Sequence, residues 1–83
     1  MKLTVATCQF PLEAKLEHNL GYVLRQMKAA KSRGAHVAHF SETALPGYAG
    51  VDIMSMEGYD WDRLQEAHLQ VAELARDLKL WVV

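Results

Sequence analysis

The stretch Ala35-His36-Val37-Ala38-His39-Phe40 decides how this chain folds, because it is apolar at nearly every position. A strand with one solvated face alternates apolar and polar residues, whereas a nearly continuous apolar run is typical of a parallel strand covered on both faces. Gly34 precedes the run, and Ser41 and Glu42 follow it, which bounds a strand. We therefore expect a parallel sheet that contains this segment.

Two patterned segments lie on the N-terminal side of that strand. Residues 2–10 are rich in Leu, Val, Thr and Phe and end at Pro11, which predicts another strand. From Leu12 onward, apolar residues recur every three or four positions, which predicts a helix with one apolar face. Arg33 followed by Gly34 is typical of the end of a helix. The apolar positions are Leu12, Leu16, Leu20, Val23, Leu24 and Met27.

On the C-terminal side, residues 41–59 form a long irregular segment that precedes a second helix. Asp60 is a candidate N-cap, apolar residues at helical spacing run from Leu64 to Leu78, and a third strand opens at Leu80. The order β-α-β-α-β predicts an α/β fold with a parallel sheet and right-handed crossovers. An irregular segment of this length favours either a functional role or short turns hidden within it.

Composition limits the classes of function. Eighty-three residues suffice for one small domain; 51% of them are hydrophobic and 23% charged, which is typical of a globular protein. The net charge of −1 offers no electrostatic attraction to nucleic acid or to an anionic membrane, so we expect neither partner. Cys8 is the single cysteine, which excludes an internal disulfide and favours a reduced, cytoplasmic setting.

The last residues of the sequence, Leu80 to Val83, read as a buried strand with no turn or cap after it. Domains seldom stop inside their most hydrophobic segment. We therefore expect residues 1–83 to be the N-terminal part of a single, longer domain.

Glu42 is the first candidate for chemistry. In open parallel sheets, functional sites lie outside the carboxyl ends of the strands, and Glu42 lies just past the end of an almost wholly apolar strand. We expect its carboxylate to be partly desolvated there, which would suit a general base. The alternative is a structural carboxylate that caps or pairs at the end of the strand.

Other polar and aromatic residues allow less specific interpretations. Tyr48 is predicted either to line a substrate pocket or to anchor the loop with its ring. Cys8 is predicted to be a packing residue rather than a nucleophile, because free cysteine is among the most buried residue types. His36 and His39, three apart on a strand, point to opposite faces and do not chelate one ion together. We expect no metal site and no cofactor.

Residues 40–48 resemble the glutamate motif of the nitrilase, or carbon–nitrogen hydrolase, superfamily: a hydrophobic strand, a Glu, a short apolar link and then Gly-Tyr. Residues 5–9 resemble the first strand of that family, Asn19 matches an Asn of its first helix, and residues 33–35 resemble the turn before the glutamate strand. Ser41 stands where the family often has Pro.

The resemblance implies a four-layer α-β-β-α sandwich that hydrolyses non-peptide carbon–nitrogen bonds of small amides or nitriles and forms homo-oligomers. The family uses a Glu–Lys–Cys triad and a thioester intermediate. Glu42 matches the glutamate, while the lysine and cysteine motifs lie downstream in the family, beyond residue 83. The isolated chain is then expected to be inactive. The alternative is a non-catalytic, truncated relative that serves as a binding or assembly module, since exposed apolar edges would favour dimerisation.

Overall fold

The computed structural model describes residues 2–83, which form three strands and two helices in alternation. The strands are β1 (Val5–Thr7), β2 (Val37–His39) and β3 (Trp81–Val82), and the helices are α1 (Leu16–Ser32) and α2 (Trp61–Leu78). The predicted β-α-β-α-β order is confirmed. Each strand is two or three residues long, so the strands are shorter than the apolar runs that contain them.

The three strands form one parallel sheet in the order β1-β2-β3, as predicted. One row across the sheet aligns Val5 with Val37 and Val37 with Trp81. The next row aligns Ala6 with Ala38 and Ala38 with Val82. Because successive side chains along a strand point to opposite faces, these two rows belong to opposite faces of the sheet.

Helix α1 begins at Leu16 and not at Leu12, so the prediction that the helix starts at Leu12 is wrong. Lys15 precedes the helix with an extended backbone (φ −85°, ψ 110°), and its side chain does not cap the helix. The turn between Pro11 and Lys15 is instead held by side chains of α1. The end of the helix follows the prediction, since α1 stops at Ser32 and Gly34 has a φ of +84°.

Helix α2 has the capping residues that α1 lacks at its start. The carboxylate of Asp60 accepts a hydrogen bond from the backbone N–H of Arg63 (3.0 Å), so the predicted N-cap is confirmed. At the other end, Lys79 adopts a left-handed backbone (φ +53°), and the N–H of Leu80 donates to the carbonyl of Ala75 (2.9 Å). Within residues 2–83, neither helix has the length and apolar character needed to cross a membrane.

The core lies between the two helices and the face of the sheet that carries Ala6, Ala38 and Val82. Helix α1 packs along α2, and both helices contribute apolar side chains to one cluster. Met27 and Ala67 are fully buried where the helices and the sheet meet. The buried hydrophobic residues are Cys8, Leu20, Val23, Met27, Ala30, Ala35, Ala38, Phe40, Leu45, Ala67 and Leu80.

The opposite face of the sheet is bare in the part of the chain that the structure describes. We call it the open face; it carries Leu3, Val5, Val37, Trp81 and Val83. Trp81 is 76% exposed and Val83 71% exposed. The strands were expected to be covered on both faces, and within residues 2–83 only one face is covered. The apolar pattern of the strands is nevertheless the pattern of strands that are buried on both faces.

Candidate functional site

The chain segments that follow β1 and β2 leave the sheet side by side at its carboxyl edge. Pairing continues just past the strands, because the N–H of Cys8 donates to the carbonyl of His39 (2.8 Å). Similarly, the N–H of Phe40 donates to the carbonyl of Val83 (2.8 Å). Since parallel strands end at the same edge, the candidate residues after β1 and β2 emerge on one side of the sheet.

Glu42 lies just beyond this edge, where the chain has left the core. Phe40 is buried, but Ser41 and Glu42 are both exposed, because the chain turns outward as soon as the strand ends. The expectation of a partly desolvated carboxylate is therefore wrong for residues 2–83. The structure places Glu42 at the predicted edge and leaves its side chain in water.

The backbone next to Glu42 is strained. Thr43 has a φ of +56°, a left-handed conformation that β-branched residues rarely adopt. The hydroxyl of Thr43 donates to the carbonyl of Glu42 (2.6 Å), and the N–H of Gly47 donates to the carbonyl of Thr43 (3.0 Å). Such strain costs on the order of 1–3 kcal/mol and persists only where surrounding contacts hold it.

Asn19 supplies those surrounding contacts. It is a fully buried polar residue on α1 and bonds two loops at once. Its Nδ2 donates to the carbonyl of Glu13 (2.7 Å) and to the carbonyl of Leu45 (2.8 Å), while its Oδ1 accepts from the N–H of Glu13 (3.0 Å). The side chain of Asn19 thus joins the β1–α1 connection to the turn that follows Glu42.

Gly47 allows the turn after Glu42 to pack closely against the β1–α1 connection. Its φ of +88° is in the left-handed region, and a Cβ at this position would lie 2.9 Å from the carbonyl oxygen of Glu13 and 2.9 Å from the Cβ of Asp52. No L side chain fits both restraints without displacing backbone. The Gly of the Gly-Tyr pair is therefore explained by packing alone.

Tyr48 is anchored through its backbone and not through its ring. Its N–H donates to the Oδ2 of Asp52 (2.7 Å), and its carbonyl accepts from the N–H groups of Val51 (3.0 Å) and Asp52 (2.8 Å). Tyr48 as a whole is 47% exposed. Tyr48 therefore anchors the loop through its main chain and not, as predicted, through its ring. The side chain lies at the surface.

Compared with protein-family models, curated proteins and solved structures, the chain matches none. The resemblance to the nitrilase superfamily therefore rests on the motif residues themselves.

A small cavity of about 240 Å³ lies beside the Glu42 turn, between that turn and α2. Polar groups at its rim come from Ser41, Thr43 and His68, and the rest of its lining is apolar. Glu42 itself does not line this cavity but lies between two residues that do. The arrangement suits a small, mostly apolar group held next to a carboxylate. The apolar lining residues are Val23, Phe40, Ala44, Leu45, Val71, Val82 and Val83.

Cys8 has the surroundings of a packing residue. It is buried in the core, and its Sγ lies 3.7 Å from the carbonyl oxygen of Ala6. Burial raises the pKa of the Cys8 thiol, which disfavours the thiolate that a nucleophile requires. The prediction that Cys8 is a packing residue is confirmed.

The histidines near the sheet have separate roles. The Nδ1 of His36 accepts from the N–H of Thr4 (2.9 Å), which ties the starts of β1 and β2 together. His39 is exposed on the open face side of β2. Among residues 2–83, no three His, Cys, Asp or Glu side chains are grouped so that they would hold a metal ion.

Two residues of this site were not singled out by residue patterns. Asn19 entered only through the resemblance, although a polar residue directly before Leu20 on the apolar face of α1 is a signal for a buried hydrogen-bonding role. Asp52 gave a weaker signal: a carboxylate in a Gly-rich segment, where short polar side chains often bond nearby backbone N–H groups.

Tyr59 stacks edge-on against Trp61 (ring centroids 4.9 Å apart) and fixes the loop to the start of α2.

Proposed function

We propose that this chain carries the general base of a carbon–nitrogen hydrolase, and that Glu42 is that base. The observation that carries the proposal is the placement of Glu42: three residues after the end of β2, at the carboxyl edge, on a strained turn that the buried Asn19 ties to the neighbouring loop. A turn held in this way fixes the backbone from which the Glu42 side chain extends, which supports its assignment as a positioned base.

The chemistry follows the triad that the resemblance implies. The Glu42 carboxylate accepts the proton of a cysteine thiol, and the sulfur attacks the carbon of an amide. A lysine stabilises the charge on the tetrahedral intermediate, and the amine leaves with a proton, which gives a thioester. Water then hydrolyses the thioester, releases the acid and restores the thiol. The proposal assigns the lysine and the cysteine to sequence after residue 83.

The substrate class follows from the same reasoning. The cavity beside the Glu42 turn holds about 240 Å³ and is mainly apolar, with hydroxyl and imidazole groups at its rim. That volume accommodates a small aliphatic group. Small amides or nitriles with a short apolar chain are therefore the proposed substrates.

The test is enzyme-dependent release of ammonia from a panel of small amides and nitriles by the native protein. Glu42→Gln keeps the shape of the side chain and removes the base, so we expect turnover to fall by about 10²–10⁴-fold. Glu57→Gln is the matched control, since Glu57 is an exposed glutamate of the same irregular segment. A Glu42→Gln variant with a nearly normal rate would refute the assignment of Glu42.

The 83-residue chain alone provides a second arm. It is expected to release no ammonia, because it holds one of three triad residues. Activity from this chain alone would overturn the triad. The intact mass of the protein in its native source should be measured first. A mass well above 9.4 kDa means that the native protein has further residues that could include the lysine and the cysteine.

The open face favours a second candidate function, that of a binding or assembly module. Leu3, Val5, Trp81 and Val83 are each more than half exposed on one side of the sheet. A contiguous exposed apolar surface of this kind is typical of a site where another molecule binds, because a face that stays in water is rarely so apolar. A native mass of 9.4 kDa together with an absence of turnover would favour this candidate.

A further inference from the structure

His18 on α1 places both nitrogens of its ring against acceptors in the β1–α1 connection. Its Nε2 lies 2.9 Å from the carbonyl oxygen of Pro11, and its Nδ1 lies 3.0 Å from Oε2 of the Glu13 carboxylate. A carbonyl and a carboxylate only accept hydrogen bonds, and a neutral imidazole carries a hydrogen on one of its two nitrogens. One of the two contacts therefore lacks a hydrogen unless the ring of His18 is protonated.

The two contacts are not equivalent when the ring of His18 is neutral. The contact between Nε2 and Pro11 has the geometry of a hydrogen bond, so the hydrogen of the neutral ring belongs on Nε2. The Nδ1 then presents a lone pair to the Glu13 carboxylate, and the two repel each other. In the protonated ring, the Nδ1–H group faces the same carboxylate as an ion pair. Only the protonated ring therefore makes two favourable contacts.

Aromatic packing holds the ring of His18 beside these acceptors. The ring lies tilted against the ring of Tyr22, with the centroids 5.0 Å apart and 60° between the planes. Tyr22 in turn stacks flat on Phe10, with the centroids 5.0 Å apart and 2° between the planes. Because Phe10 directly precedes Pro11, this aromatic stack ties the start of the connection to the turn of α1 that carries His18.

The other charged groups near His18 do not compete for the Glu13 carboxylate. On α1, the guanidinium of Arg25 lies over a ring of the aromatic stack, 4.8 Å from its centre. From α2, Arg63 reaches the residue next to His18, but its guanidinium donates to Glu17 (Nη2 to Oε2, 2.8 Å). Within residues 2–83, the ion pair of Glu13 is with His18 alone.

Glu13 also connects this pair to the turn after Glu42. Its N–H and its carbonyl are both bonded to the side chain of Asn19, which donates to the carbonyl of Leu45 as well. A Cβ at Gly47 would lie 2.9 Å from the carbonyl oxygen of Glu13, so the turn packs directly on the backbone of Glu13. A change in how the Glu13 side chain is held can therefore reach the turn through direct contacts.

We propose that His18 and Glu13 form a pH-sensitive switch that sets how firmly the turn after Glu42 is held. When the ring of His18 is protonated, it bonds Pro11 and Glu13 together and holds the connection on α1. When the ring loses its proton, the ion pair is lost, and the connection and the turn open more often. Histidine changes charge between about pH 5 and 8, where glutamate stays ionised, so the turn is held more firmly at the acidic end of this range.

The proposal is independent of the proposed hydrolase function, because it concerns the conformation of the turn and not turnover. Hydrogen exchange of the Gly47 amide, followed by NMR between about pH 5 and 8, tests it. The rates are compared with those of an unstructured peptide at the same pH, which removes the intrinsic effect of pH on exchange. We expect the protection of this amide to fall about two- to fivefold as the pH rises, the size expected for an exposed ion pair. Constant protection over this range would overturn the proposal.

His18→Gln and Glu13→Gln identify the groups responsible. Each substitution removes one charge of the pair at a position that is at least partly exposed, so the fold should persist. In each variant, the loss of Gly47 protection at high pH should disappear. His68→Gln replaces an exposed histidine of α2 and is the control that should keep this loss. If the loss persisted in either His18→Gln or Glu13→Gln, another group would be responsible and the proposal would be wrong.

The nitrogen NMR spectrum of the His18 ring gives a second test that needs no substitution. At high pH, the neutral ring should carry its hydrogen on Nε2, toward the carbonyl of Pro11. A hydrogen on Nδ1 would instead let the neutral ring keep its contact with Glu13 at every pH. That tautomer would contradict the proposed switch.

Discussion

The two faces of the sheet differ in burial although the same strands build both. The row Ala6–Ala38–Val82 faces the helices, and Ala38 is fully buried. The row Val5–Val37–Trp81 lies on the open face, and Trp81 is 76% exposed. Both rows are apolar, so the difference in burial does not come from the strands. The difference arises because both helices of residues 2–83 pack on the same face of the sheet.

The size of the side chains also differs between the two faces. The helix-facing row is mostly alanine, which lets α1 and α2 lie close to the sheet while Met27 fills the space between them. The open face carries a tryptophan and larger aliphatic residues. Large apolar residues on a sheet face are what a second packed layer would bury. The comparison therefore predicts that substitutions on the two faces have very different effects on stability.

The largest effect is expected for Met27→Ala on the covered side. Met27 has no exposed surface, and its truncation leaves a cavity that the surrounding helices close only in part. We expect the free energy of unfolding to fall by about 3 kcal/mol. Urea denaturation followed by circular dichroism measures the change.

Trp81→Ala is the matched change on the open face. Although it removes a larger side chain, we expect the free energy of unfolding to change by no more than about 0.5 kcal/mol, because the ring contributes little to packing when it is exposed. Equal losses for Met27→Ala and Trp81→Ala would contradict the comparison. That result would mean that the open face is buried in solution.

An intermediate effect is expected for Asn19→Leu, which removes the buried polar contact within the covered layer. The substitution leaves the N–H and carbonyl of Glu13 and the carbonyl of Leu45 without their partner. We expect a loss of about 2 kcal/mol, since each buried polar group without a partner costs about 1–3 kcal/mol and some of them regain water.

Hydrogen exchange tells whether Asn19 acts on the loop as well as on overall stability. In Asn19→Leu, the amide of Gly47 should lose protection under conditions where the core amides of α1 keep theirs. Gln65→Leu replaces an exposed amide side chain on α2 and is the control. Uniform loss of protection across the chain would mean that Asn19 does not hold the turn specifically.

The smallest effect is expected for the exposed ion pair between the helices. The guanidinium of Arg63 donates to the carboxylate of Glu17 (Nη2 to Oε2, 2.8 Å), and this hydrogen bond lowers the pKa of Glu17. A carboxyl whose pKa is lower in the folded state stabilises the fold above its unfolded pKa of about 4.3 and loses that contribution as the pH falls through its folded pKa.

The difference in stability between the wild-type chain and Glu17→Gln should therefore be present at pH 7 and shrink at pH 3. Its size should be small, because the pair is exposed and salt screens it. Glu73→Gln, at an exposed position on α2, serves as the control. If Glu17→Gln matched the cost of Met27→Ala, the ranking of contacts within the covered layer would be wrong.

The parts of the fold that depend on local patterns could be predicted from the sequence. The order of elements, the parallel sheet, the end of α1 just before Gly34 and the Asp60 cap all follow from apolar periodicity and from residues with strong local preferences. Leu12 was misassigned to α1 because its spacing fits the apolar face. The contacts that exclude it come from Asn19, and periodicity does not describe such contacts.

The candidate site was predictable in position but not in environment. Glu42 follows a buried strand, so its location at the carboxyl edge could be predicted from its order in the chain. Its exposure could not, because desolvation depends on which segments pack over the edge. The left-handed backbone of Thr43 was equally hidden, since nothing about a threonine favours that conformation.

The hydrogen bonds of Asn19 also bear on the order in which the chain is synthesised. All of their partners lie within the first 45 residues, and β1 pairs with β2 within the first 40. A growing chain can therefore form the β1–β2 pairing and the turn after Glu42 before α2 leaves the ribosome. The apolar face of α1 then stays exposed until α2 is synthesised. The hydrogen bonds of Asn19 already hold the loops beside this face when α2 packs on it.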